Sequence, residues 1–218
     1  MNVVGPGITL EDYQSGKATP IDLFEGQIRG WILPFAQHLA YEHEHSGIAV
    51  LLLTSAILEP LGAVLPLDKG GKTSKDKFCR GFERAFKEVP GSKSARKVAE
   101  RVWQALRDGL FHEAFIQAGL VLTTQDIPIL EKDGIIYVDC ARFFNAVESA
   151  FVEVCNEIRS SEKDSPIRSA FDMYWNKKES EQAKKFEATV PVRADYPPTT
   201  STNTLAPMGL KDRFIKEM

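Results

Sequence analysis

Three stretches of the chain set large apolar side chains at steps of three and four. They are Phe78, Phe82 and Phe86; Val98, Val102 and Leu106; and Phe143, Val147, Phe151, Val154 and Ile158. That spacing puts each set on one face of an α-helix. A helix with one apolar stripe has to bury it, and several such helices in succession bury their stripes against each other. The expected architecture is therefore a mainly α helical bundle.

Local signals mark where the helices begin and end. Thr19-Pro20 starts one, with Thr as N-cap and Asp22 and Glu25 near the positive end of the dipole. Pro34 interrupts it, and a second run is expected to reach about His45. Ser46-Gly47 separates that run from a very apolar helix, Ile48 to about Leu65. Leu67 to Ser74 reads as a loop, after which Ser74 is the expected cap of a helix through Lys87. Ser94 opens the next helix, Gly109 kinks it, and Leu110 to Gly119 continues it. Ile127 to Leu130 and Ile135 to Val138 flank Asp133-Gly134, the expected β-hairpin turn. Asp139 caps the following helix, and Ser165-Pro166 starts the last, to about Glu187. The chain thus divides into an N-terminal extension (1–19), a helical domain (20–187), and an irregular or disordered tail (188–218) with a possible docking helix at Leu210 to Met218.

No apolar run approaches the ~18 residues a membrane span needs, and the start of the chain lacks the pattern of a secretory signal. Cys79, Cys140 and Cys155 are far apart and form no C-x-x-C pair, which argues against a disulfide framework or a cysteine-rich zinc site. A cytoplasmic location fits these features. The net charge of −3 gives no reason by itself to expect a polyanion, but its distribution is uneven. Residues 68–108 are net +6, between flanks of −5 (1–67) and −6 (109–164). Such a segment either binds a polyanion or forms a solvated Lys/Arg face.

Several motifs are set aside. Gly71-Lys72-Thr73 resembles the end of a phosphate loop, but Pro66 stands where that loop needs glycine, and no buried strand precedes it. His38, Glu42 and His45 fall at i, i+4 and i+7 on one helix face, without the H-E-x-x-H spacing or a further ligand cluster, so a polar surface is expected. No G-x-S-x-G element or catalytic cysteine stands out. Neither a metal nor a cofactor is expected.

The segment Leu106-Arg107-Asp108-Gly109-Leu110-Phe111-His112-Glu113 comes after the Val98/Val102/Leu106 stripe. Residues five apart do not face each other on an ideal helix, but a kink at Gly109 would bring Arg107 and His112 together. Arginine supplies a permanent, fork-shaped cation suited to phosphate, and histidine a proton donor or acceptor near neutral pH. The structural alternative is an arginine at the negative end of its helix and a satisfied interior histidine.

Arg107, Asp108 and His112, with four residues between the arginine and the histidine, resemble the signature of the HEPN family (higher eukaryote and prokaryote nucleotide-binding domains). The resemblance covers about residues 20–160. It implies a HEPN-like bundle of the bacterial stand-alone type, with the short hairpin inserted after the motif helix. It also implies a symmetric homodimer that places two Arg/His sets in one cleft. Many members are metal-independent endoribonucleases, often toxins with a cognate antitoxin or defence effectors. On that pattern His112 moves a proton, Arg107 stabilises phosphorane charge, and Asp108 orients Arg107. The RNA 2′-hydroxyl attacks the adjacent phosphorus, so single-stranded RNA is the expected partner and DNA is not. Residues 68–108 would guide its backbone. The alternatives are a non-catalytic module of the same fold that binds RNA, a nucleotide or a protein partner, and a helical scaffold that uses the tail.

Overall fold

The centre of the fold is the apolar helix anticipated around residues 48–65. In the computed structural model, which describes residues 3–66, 73–106 and 119–189, it is α4 (Gly47–Ala63). It is labelled after α1 (Leu10–Gln14), α2 (Pro20–Trp31) and α3 (Leu33–Glu42). Val50, Leu51, Ile57, Leu58 and Leu61 of α4 are fully buried, because α3, α5 (Ser74–Ala85) and α7 (Cys140–Ser160) pack around it. The remaining helices are α6 (Ala95–Gln104) and α8 (Pro166–Thr189). Met1–Lys178 forms one compact unit and Glu179–Met218 another. Among the described residues no helix is long and apolar enough to cross a membrane.

The stripes read from the sequence are the contacts that build the core. Phe82 and Phe86 have ring centroids 4.7 Å apart, and Phe86 stacks on Phe143 of α7 at 4.8 Å. Phe24 of α2 meets Phe151 of α7 and Phe171 of α8 at 5.6 and 5.7 Å. Val98, Val102 and Leu106 are buried. The mainly α architecture results from these stripes.

Sheet structure is small. β1 (Val3–Gly5) and β2 (Ile8–Thr9) pair antiparallel around Pro6-Gly7, where Gly7 takes φ +70°, and Gln27 of α2 donates to the Val4 carbonyl at 2.8 Å. In the second sheet β5 (Ile135–Val138) lies between β3 (Leu120–Leu122), parallel to it, and β4 (Ile129–Lys132), antiparallel. The hairpin turns at Asp133 (φ 51°) and Gly134 (φ 78°), both left-handed, as a two-residue type I′ loop requires. That turn makes Lys132 and Ile135 the closing pair. The first strand therefore runs from Ile129 to Lys132, two residues later than the apolar run Ile127 to Leu130 suggests.

Two further local expectations are corrected. Thr73, not Ser74, caps α5: its hydroxyl accepts from the Asp76 amide at 3.1 Å, while Ser74 donates to Glu59 at 2.8 Å. The second helical run stops at Glu42 rather than His45, because His43 is extended (φ −133°, ψ 108°). The Ser46 hydroxyl lies within hydrogen-bonding reach of the Leu39 and His43 carbonyls, taking one of the acceptors that the end of α3 leaves open.

Candidate functional site

Arg107, Asp108 and His112 lie outside the described residues, as do the expected kink at Gly109, most of the 67–74 loop and the tail from residue 190. The structure fixes the segments on either side of the motif. α6 reaches it with Val98 and Val102 in the core and Trp103 against Phe78 (5.1 Å). Its last described residues, Ala105 and Leu106, are buried and belong to a π turn, whose i→i+5 hydrogen bonds are wider than those of an α-helix. Such turns occur often at functional sites.

Gly119, the first described residue after the motif, lies beside Arg101 of the same helix. Arg101 of α6 pairs with Glu131 of β4 and donates to the Gly134 carbonyl in the hairpin turn. A Cβ placed on Gly119 would sit 3.6 Å from the Arg101 guanidinium. The Glu131 amide also donates to the Pro90 carbonyl at 2.9 Å. Through Glu131 and Gly134 the hairpin is thus tied both to α6 and to the α5–α6 turn.

The arginines of the basic segment are largely taken up in bridges. Arg84 pairs with Glu157 (3.2 Å) and Glu153 (3.7 Å) of α7. Arg96 reaches Asp76 (2.7 Å), Glu83 (3.6 Å) and Glu100 (3.7 Å). The Thr73 hydroxyl, and after it Arg96, hold the Asp76 carboxyl below its ordinary range. Lys87, Lys93 and Lys97 are exposed.

A groove of about 450 Å³ brings two other cations of the segment together with one from α8. Lys77 and Arg80 of α5 and Lys177 of α8 surround a floor that includes Pro66, Met173 and Tyr174. Arg80 donates to the Leu65 and Pro66 carbonyls, both at 3.2 Å. Sequence patterns do not reveal this groove, because Lys177 lies about a hundred positions from Lys77 and Arg80.

Two polar cavities share Thr124, Asp139 and Ala141 near the start of α7. Asp139 is already engaged there, which leaves it poorly placed to act as a base. Its two oxygens accept from the Arg142 amide (2.9 Å) and the Gln125 amide (3.0 Å), so it acts as an N-cap and a loop anchor. Arg142 pairs with Asp126 at 3.2 Å, and Tyr41 donates to Asn145 at 2.8 Å. The thiols offer no nucleophile either. Burial pushes Cys79 up to about 11 and Cys140 and Cys155 up to about 12, well away from a reactive thiolate.

The His38–Glu42–His45 face is reorganised by the early stop of α3. His38 keeps Glu42, with Nδ1 and a carboxylate oxygen 2.9 Å apart. His45 lies beyond the helix end, and His43 approaches His38 instead, their Nε2 atoms 3.3 Å apart.

No family model matches the chain, and comparison with curated proteins and with solved structures finds no similar protein.

Proposed function

We propose that this protein is a metal-independent endoribonuclease of HEPN type that cleaves single-stranded RNA through Arg107 and His112, with two copies of the chain forming the cleft. One observation carries the reading. The Arg107-Asp108-x3-His112 motif comes directly after a core helix whose last described residues are in a π turn. A pair five residues apart is out of register on an ideal α-helix, so the reading requires a departure from α geometry between Arg107 and His112.

The chemistry is a transesterification. The ribose 2′-oxygen forms a bond to the adjacent phosphorus as the bond to the 5′-oxygen of the next nucleotide breaks. One proton leaves the 2′-hydroxyl and one is delivered to the departing 5′-oxygen. The products are a cyclic phosphate and a 5′-hydroxyl. His112 moves a proton at one of these oxygens, which contributes roughly 10²–10⁴ in rate. Arg107 binds the charged equatorial oxygens of the transition state, on the order of 3 kcal/mol, and Asp108 orients it.

The test is labelled single-stranded RNA incubated with the protein in excess EDTA. Cleavage to a cyclic phosphate is expected, lost in Arg107→Ala and His112→Ala and absent on a fully 2′-deoxy strand. Intact RNA, or equal cleavage by His112→Ala, refutes the assignment.

A second reading, a non-catalytic module that binds RNA, is favoured by the groove that gathers Lys77, Arg80 and Lys177 on one surface. It predicts saturable, salt-sensitive RNA binding without cleavage, weakened by changing Lys77 and Lys177 to Glu.

A further inference from the structure

The geometry points to a transition-metal site at the end of α3, formed by Nε2 of His38 and Nε2 of His43, for an imidazole-seeking cation such as Zn²⁺. Four independent observations converge on it.

The first is spacing. Two imidazole nitrogens bound to one tetrahedral zinc, each at 2.0–2.1 Å, are separated by about 3.3–3.4 Å. The two Nε2 atoms are 3.3 Å apart. The rings meet nearly edge to face, with centroids 5.0 Å apart and an interplanar angle of 74°.

The second is tautomer. Glu42, one turn after His38, lies 2.9 Å from the Nδ1 of that ring. A carboxylate there accepts Nδ1–H, which in the neutral ring leaves the lone pair on Nε2 of His38. Carboxylate, imidazole and metal in series is the usual outer-shell support of a histidine ligand.

The third is backbone definition. His43 is held by its place in the α3–α4 corner, where the Ser46 hydroxyl reaches the carbonyls of Leu39 and His43 itself. The fourth is the local field. The corner is the C-terminal end of α3, where the helix dipole favours a cation.

Without metal, a single Nε2–H from one of the two rings bridges the nitrogens. Metal binding requires that proton to leave the bridge, so that both Nε2 lone pairs face the metal and each ring keeps its proton on Nδ1. Among the described residues no cluster of three or more metal-ligating side chains occurs. Among the described residues the site thus has two protein ligands, and water fills the remaining positions of the shell. Such a site selects by ligand softness: imidazole suits zinc, copper and nickel, whereas magnesium prefers oxygen.

The test uses the full chain and ZnCl2 in a non-coordinating buffer, read by thermal unfolding and by 15N NMR of the histidine rings. With free zinc a hundredfold above its Kd, the midpoint is expected to rise by roughly 5–10 °C, with no shift from MgCl2. Both His38→Ala and His43→Ala abolish the shift and His45→Ala retains it, while Glu42→Gln weakens zinc about tenfold. In the spectra, zinc perturbs Nε2 of His38 and His43, with Nδ1 of His38 protonated throughout. No midpoint shift, a shift that survives either histidine variant, or ring signals that place zinc on other histidines would overturn the site. All four substituted side chains are exposed, so each variant is expected to fold.

Discussion

Gly62 of α4 and Gly81 of α5 mark where the two helices cross most closely, and replacing either with alanine should separate them. A Cβ on Gly81 would lie 2.0 Å from the Leu58 carbonyl oxygen. One on Gly62 would lie 1.8 Å from the Lys77 oxygen and 2.6 Å from the Gly81 nitrogen. These are backbone atoms, which have no rotamer to escape into. Relief needs the helices to move apart by about 1 Å or more at a crossing flanked by Leu58, Leu61, Phe78 and Phe82, all buried. Overpacking costs about 1–3 kcal/mol, and the upper end applies where backbone has to shift. Alanine recovers about 1 kcal/mol of helix propensity over glycine. The net loss is about 2 kcal/mol for Gly81→Ala, or roughly 4–8 °C in midpoint for a chain of this size. The double variant should lose less than the two singles together, because one separation relieves both clashes. Gly26→Ala in α2 is the control. Its Cβ would meet only Ile8 at 3.7 Å and Pro6 at 3.9 Å, so a gain of up to about 1 kcal/mol is expected. Urea unfolding monitored by circular dichroism gives all four values. A Gly81→Ala midpoint at or above the wild-type value would show that the two helices do not cross this closely.

Asp139→Ala removes the α7 cap and the Gln125 anchor together, so urea unfolding should show a loss of roughly 2–3 kcal/mol, and Asp139→Asn a smaller one. An alanine variant as stable as wild type would refute the double role. Acid should destabilise the N-terminal segment in a defined window. The Lys17 ammonium and then the Thr9 hydroxyl hold the Asp12 carboxyl at about 2, below its ordinary 3.8. A depressed carboxylate adds stability that is fully present above its unfolded value and is lost as pH falls through the folded one. The loss attributable to Asp12 therefore falls between about pH 4 and 2. Asp12→Asn should flatten the stability–pH slope there at low salt, and an unchanged slope would count against the assignment.

What could be read from the sequence divides according to how local each determinant is. The Phe78/Phe82/Phe86 stripe, the Asp139 cap and the Asp133-Gly134 turn are set by residues within a turn or two of one another, and each appears in the fold where the pattern places it. Leu120–Leu122 escapes notice as a strand because three residues carry too little alternation to register. Its partner, Ile136 to Val138, lies sixteen positions on, across the hairpin. Arg107, Asp108 and His112 are legible as a motif, since type and spacing suffice for that. Whether the arginine and the histidine meet depends on the path of the chain after Leu106, which spacing does not encode. The histidine corner shows the same limit in the other direction. Counting by helical faces joins His38 to His45, but that count assumes the helix continues. Ser46 takes a carbonyl at the end of α3, His43 goes extended, and its ring becomes the neighbour of His38 in place of the ring two positions later. A face argument is only as good as the helix end it assumes. Here that end is set by a hydroxyl seven residues beyond the carbonyl it reaches, and the same contact creates the one close pair of imidazoles among the described residues.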